Sequence, residues 1–223
     1  MTLDFDRIAL ALEAADLADS LHPCERWLVD QLPASCRRVL DVGCGHGAMS
    51  RLVATRVASV LCLDQSPAMI HLARRRSAAV RNIEYRRADI VSAPLPHATF
   101  DAIISVNTLH HVPLDAVIPR LVAALRPGGL LAIQDILDRP GLRYLPINSV
   151  AWVTRRARWF TGDRDVTANR AVAALYREHG RGERYLTPRN AKHAYIELLP
   201  GARVVFHLEW RYSVIWRRPA TPS

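Results

Sequence analysis

The sequence predicts an α/β fold with a mostly parallel sheet covered by helices on both faces. Three observations carry that prediction. Short apolar runs of strand length alternate with segments of helical periodicity from residue 38 to residue 136; the first run stops in a cluster of glycines; and 50% of the residues are hydrophobic with no low-complexity tract. At 223 residues the chain suits one sizeable domain better than two.

The elements follow in order. Apolar residues recur at helical spacing at Ile8, Leu12 and Ala15, and again at Trp27, Leu28 and Leu32, where Pro23 suits a first helical turn and Pro33 an end. Residues 38–42 form a strand-length run that breaks at Gly43-Cys44-Gly45-His46-Gly47, after which a helix is expected through Met49, Leu52 and Val53. Residues 59–64 read as a second strand, Ser66 and Pro67 as the cap and first turn of a helix through Met69, Ile70 and Leu72, and residues 83–86 as a third strand. Residues 100–106 predict a buried fourth strand, 114–125 a helix stopped by Arg126-Pro127-Gly128-Gly129, and 130–136 a fifth strand. Strands separated in this way by helices imply βαβ units and hence parallel pairing.

Beyond Asp138 the alternation breaks. Residues 139–187 mix Trp152, Trp159, Phe160 and Tyr176 with many arginines and read as an insertion; 188–199 resumes as a helix, and 202–210 with 211–217 predicts a long closing hairpin. The expected organisation is a single domain over 1–223, with N-terminal helices at 1–36, a core at 37–138, a substrate-covering insertion at 139–187, and a final helix and hairpin at 188–217.

Composition narrows the classes of function. The formal charge of +9 is consistent with attraction to nucleic acid or anionic lipid, but Lys192 is the only lysine, an arginine bias that points to a GC-rich genome rather than to a binding surface. No stretch approaches the roughly 18–20 apolar residues of a membrane span. Asp4, Asp6, Glu13, Asp16 and Asp19 stand where a signal peptide would be basic and then apolar, so a cytoplasmic protein without a membrane span is expected. Cys24, Cys36, Cys44 and Cys62 lack CxxC spacing and read as free, mostly buried thiols.

In a parallel α/β sheet, ligands bind outside the carboxyl ends of the strands where the strand order reverses. Those positions hold Asp41 and the glycines, Asp64, Asp89, residues 107–111 and Asp135, so polar groups from separate chain segments converge on one rim. The glycine run by itself fits both GxGxG and the dinucleotide-type GxGxxA, and Asp64 suits a ribose in either case. Two acids turn the balance from a dinucleotide toward a zwitterionic adenosyl sulfonium: Asp41 would repel a pyrophosphate but hold an ammonium, and Asp89 can accept from an adenine amine.

The runs 39–47, 63–66, 87–89, 100–102 through 109–112, and 125–129 together resemble, in order, the successive motifs of class I S-adenosylmethionine-dependent methyltransferases. The resemblance implies a Rossmann-like sheet of seven strands in the order 3-2-1-4-5-7-6, strand 7 antiparallel, and S-adenosyl-L-methionine as cofactor. At matching positions it implies that Gly43, Cys44 and Gly45 lie against the methionine portion beside Asp41. Asp64 would bind the ribose, Asp89 and Ile90 the adenine; Gln65 and Met69 would line the nucleoside pocket, and Asn107 would begin the segment beneath the sulfonium. His46 is expected to contribute only its backbone.

His110 and His111 follow the fourth strand and are candidates for acid/base work, one of them pointing into the cleft; by the resemblance to small-molecule O-methyltransferases they gather with Asp135 around the acceptor. Transfer from a sulfonium is an in-line displacement that depends on positioning. It requires no metal, and the spacing of the remaining histidines shows no metal-ligand cluster.

The acceptor is expected to be a small molecule methylated at O, N or C. Residues 105–109, Ser-Val-Asn-Thr-Leu, depart from the Asn-Pro-Pro-Tyr type of motif that marks methylation of adenine or glutamine amides, and no Pro-Cys pair stands where cytosine chemistry would need one. Nucleic acid is therefore not expected as a partner. Residues 152–160, arginines interleaved with aromatics, keep three readings open: a nucleic-acid or membrane face, a helix packing its tryptophans on the domain, or a lid over the acceptor. An RNA-directed methyltransferase, a non-catalytic S-adenosylmethionine-binding protein and an NAD(P)-dependent oxidoreductase are the rival functions.

Overall fold

The computed structural model describes residues 2–15, 19, 21–160 and 169–220. Two helices, α1 (Thr2–Ala14) and α2 (Pro23–Asp30), precede the sheet. Then follow β1 (Arg38–Val42), α3 (Ala48–Ala54), β2 (Ser59–Asp64), α4 (Pro67–Arg76), β3 (Ile83–Arg87), β4 (Phe100–Val106), α5 (Leu114–Ala124) and β5 (Leu125–Ile136). The chain continues through α6 (Leu145–Phe160), α7 (Arg170–Gly180), α8 (Pro188–Leu198), β6 (Arg203–His207) and β7 (Arg211–Arg217).

The sheet order is β3-β2-β1-β4-β5-β7-β6. β1 to β5 pair in parallel, and β7 runs antiparallel to both β5 and β6, which is the seven-stranded Rossmann-like arrangement the motifs imply. The strand order reverses between β1 and β4, so a crevice opens at their carboxyl ends.

Period-two alternation along the strands divides the core into two layers. Leu40, Ile103, Leu131 and Val214 pack with Leu121 of α5 and Tyr195 of α8 on one face, whereas Val39, Cys62, Ile104 and Ala132 pack with Leu28, Val53 and Ile70 on the other. A third cluster seats Ile8 and Leu12 of α1 on Met69 and Leu72 of α4 and Val172 of α7, drawing the N-terminal helix and the insertion over the same end of the sheet. All four cysteines are buried and unbridged. Among the described residues no helix is long and apolar enough to cross a membrane.

The structure departs from the sequence reading in three places. β5 begins at Leu125 rather than 130, because Leu125 already pairs with Phe100 before the Pro-Gly-Gly segment shifts the register, Gly128 taking φ 78°. The first strand of the hairpin stops at His207, since residues 208–210 turn the chain and Trp210 adopts φ 51°. The insertion forms two regular helices, and its end is tied back to the sheet by the Leu137–Leu186 bridge and by Asp138 N–H donating to the Leu186 carbonyl at 3.0 Å.

Candidate functional site

A cavity of about 470 Å³ occupies the crevice at the carboxyl ends of the strands. Its floor is the β1–α3 turn. Gly43, Gly45 and Gly47 there take φ values of 71°, 51° and 82°, in the left-handed region that side chains disfavour. Gly43 is also closed to a side chain, since a Cβ would meet Thr108 Oγ1 at 2.1 Å, whereas a Cβ on Gly45 would meet nothing within 4 Å, leaving bare backbone there.

Two carboxylates lie deep in this floor. Asp41 is buried and accepts the Ser50 hydroxyl at 2.5 Å; burial, with Asp64 adding to it, pushes its carboxyl up to about 7 against the hydroxyl's opposing effect. Asp64, at the end of β2, accepts Gly45 N–H at 2.8 Å and Ser66 N–H at 2.9 Å. Burial raises its pKa, and those two N–H bonds oppose the rise. The glycine turn and the acid at the end of β2 are thus one hydrogen-bonded unit.

All ten residues expected at the cofactor line this cavity: Asp41, Gly43, Cys44, Gly45, Asp64, Gln65, Met69, Asp89, Ile90 and Asn107. Met69 is placed by a helix start that Ser66 caps, its Oγ accepting Met69 N–H at 3.0 Å. Asp89 holds its own loop by accepting Val91 N–H at 2.9 Å. Asn107 takes φ 52° directly after β4, and its side-chain oxygen accepts from Gln134 Nε2 and Arg211 Nη1, both at 3.1 Å. Strain of this kind in a non-glycine residue persists only where several partners fix it. His46 also lines the cavity; burial lowers its imidazole to about 4.

His110, His111 and Asp135 are gathered, as expected, but they do not all face the cavity. Asp135 is fully buried and accepts both the backbone N–H of His110 at 3.0 Å and its Nδ1–H at 2.6 Å. The His110 ring lies 3.8 Å from that of His111, centroid to centroid, and among the three only His111 lines the cavity. Burial, with His110 reinforcing it, holds the His111 imidazole down to about 4, so it is neutral near pH 7.

The cavity is completed by residues the motifs do not point to. Phe5 of α1 packs edge-on against the His111 ring at 5.5 Å, Tyr176 comes from α7, Leu21 from the segment before α2 and Glu25 from the first turn of α2. Glu25 is buried, accepts His22 N–H at 2.8 Å and lies 3.8 Å from Arg211. Their only local signal is helical periodicity; their arrival at the site is a long-range event.

The sequence spacing shows no metal-ligand cluster, yet the fold assembles one candidate. Ligand atoms of His110, His111 and Glu183 all lie within 4.8 Å of one another, and His179, scattered in sequence, is buried beside them. In the arginine-aromatic segment, Trp152 is 60% exposed with the Arg156 guanidinium 5.7 Å from its ring, so this tryptophan does not pack on the domain. The side chains of residues 158–160 lie outside the described residues.

A family model described as a methyltransferase domain matches residues 39–129. An uncharacterised methyltransferase of Mycobacterium tuberculosis (strain ATCC 25618 / H37Rv) is 31% identical over 192 residues, spanning 84% of this chain and 90% of that one. The demethylmenaquinone methyltransferase of Tropheryma whipplei (strain Twist) is 33% identical over 140 residues, 59% of this chain and 56% of that one. Among solved structures, the DhpI-SAH complex aligns with a TM-score of 0.64 over 99% of this chain and 96% of that one, at 18% identity, a likeness of fold.

Proposed function

Since the chain belongs to the class I S-adenosylmethionine-dependent methyltransferases, with S-adenosyl-L-methionine as its cofactor, we propose that its acceptor is a small, partly apolar molecule bound beneath Phe5 and Tyr176. The observation that carries this reading is that one cavity is lined both by all the donor-site candidates and by Phe5, Tyr176, Val112 and His111. Its volume, about 470 Å³, falls within the range of pockets that enclose small ligands. The relative from Tropheryma whipplei is named for a small-molecule acceptor, demethylmenaquinone.

In this reading the β1–α3 turn takes the methionine end of the donor, with Asp41 opposite the ammonium and the backbone at Gly45 in close contact. Asp64 has two N–H partners already, so its remaining lone pairs meet the ribose hydroxyls; Asp89 and Ile90 enclose the adenine. His111 is the polar side chain that touches the acceptor, and Asp135 and His110 are positioning residues that hold its ring from behind. When bound, the donor would supply an electrophilic methyl group to the acceptor atom in line, leaving S-adenosylhomocysteine, while the proton displaced from that acceptor atom would pass to His111 or to solvent.

Calorimetry with S-adenosylhomocysteine, followed by incubation with a methyl-labelled donor and a metabolite extract, tests the proposal. Binding together with label in an extractable small molecule is the expected result; label found only in RNA or protein would overturn it. In the same assay His111→Ala should lower turnover about 100-fold or more while leaving S-adenosylhomocysteine affinity within about threefold, the range for losing a group that acts on the acceptor.

A further inference from the structure

We propose that His110, His111 and Glu183 form a binding site for one divalent transition-metal ion of the zinc class, at the edge of the cavity. The site shares His111 with the acceptor pocket proposed above but stands on the cluster's own geometry.

The donor atoms converge. All three residues offer one within 4.8 Å of the others, and His111 Nδ1 lies 3.2 Å from Glu183 Oε2. Ligands about 2.0–2.2 Å from a tetrahedral zinc stand roughly 3.3 Å apart, so this separation is that of neighbours on one ion. The approach also lacks hydrogen-bond alignment: His111 Nδ1 is buried with no hydrogen-bond partner. A buried nitrogen left unsatisfied is destabilising. A cation between nitrogen and carboxylate satisfies both.

The surroundings fit the same ion. His110 gives Nδ1–H to Asp135 at 2.6 Å, which leaves Nε2 as the nitrogen with the lone pair, and a carboxylate behind a histidine is the arrangement that fixes a ligating tautomer. Two imidazoles and one carboxylate suit zinc and its neighbours rather than magnesium or calcium, which prefer all-oxygen shells. The side chains of His110, His111 and Glu183 are only 5%, 7% and 16% exposed, so water competes weakly. Three protein ligands leave a fourth position for water or an acceptor oxygen.

The ion would also act on the fold. His110 and His111 sit in the turn after β4, whereas Glu183 follows α7, so coordination would clip the insertion to the rim of the sheet. A test uses untagged protein stripped with a chelator, titrated with zinc chloride by calorimetry and with cobalt chloride by visible absorption. The expected results are one ion per chain, cobalt bands of a four- or five-coordinate site, and slower hydrogen exchange over residues 169–187 once zinc is present. Glu183→Gln and His110→Gln should each weaken binding at least about 100-fold, the upper figure for partners one step further from a metal. His193→Ala, an exposed histidine far along the chain, should not change it.

Folded protein that takes up neither ion, or zinc binding undiminished in both Glu183→Gln and His110→Gln, would overturn the assignment. Should a variant fail to fold, the stoichiometry and the cobalt spectrum of the unaltered chain still decide. S-adenosylhomocysteine affinity measured on the stripped protein reports the donor site separately, so either reading can fall while the other stands.

Discussion

Asp41 shows at the scale of one residue how a buried acid sets the pH dependence of stability. Its carboxyl is pushed up to about 7 by burial, so between about pH 4 and pH 7 the folded chain holds a proton that the unfolded chain has lost. Stability must therefore fall as pH rises through that window. Asp41→Asn should flatten the fall and raise the thermal midpoint at pH 8 by on the order of 5 °C, since about 1 kcal/mol moves a domain of this size roughly 2–4 °C. The same change should abolish measurable donor binding. In the unaltered protein, S-adenosylhomocysteine should bind roughly tenfold more tightly at pH 8 than at pH 6, because only the ionised carboxylate attracts an ammonium; an affinity independent of pH would remove Asp41 from that role.

Neighbouring glycines separate packing from function on the same turn. Gly43→Ala drives a Cβ into Thr108 at 2.1 Å, so it should lower the thermal midpoint and donor affinity together. Gly45→Ala meets no atom within 4 Å and carries only the strain of φ 51°, about 1–2 kcal/mol. Its loss should appear mainly in donor affinity, by tenfold or more. Paired melting curves and calorimetry on the two variants distinguish these outcomes.

At the scale of elements, the start of α4 ties the cavity to the N-terminal helix. Ser66 caps it, and the same hydroxyl donates to Asp6 of α1 at 2.6 Å, so one side chain both starts α4 and anchors the helix that brings Phe5 to the cavity. Ser66→Ala should cost about 1 kcal/mol for the cap and loosen α1, seen as faster hydrogen exchange over residues 4–14 than over β1. Much of this level was readable in advance. β1, β2, β4 and β7 have the boundaries their apolar runs predict, and Pro67 and Pro188 stand in the first turns of α4 and α8 as proline's fixed φ favours. The start of β5 was not readable, because Leu125 joins the sheet through its partner Phe100 across a proline-glycine segment whose local signal is a turn.

For the whole molecule, donor binding and folding should be linked. A ligand held by the β1–α3 turn, the end of β2 and the loop after β3 binds only the folded chain, so S-adenosylhomocysteine at 100 times its dissociation constant should stabilise by about 2.7 kcal/mol. Differential scanning calorimetry should then show a rise of roughly 5–10 °C, absent in Asp64→Asn. No shift in the unaltered protein would place the donor elsewhere.

The sequence by itself determined the parallel sheet and the residues that line the cavity floor proposed for the donor, because glycines, acids and helix caps there act within a few residues of the strand ends that carry them. Tertiary structure alone decided the opposite wall of that cavity, the part proposed for the acceptor. Phe5 and Glu183 reach His111, and Tyr176 reaches the cavity, only when α1 and α7 pack over α4, a packing driven by apolar clusters such as Ile8, Met69 and Val172. Contacts of that range leave no local spacing to read, since burying a nonpolar surface specifies that it be covered but not which distant polar group the cover brings along.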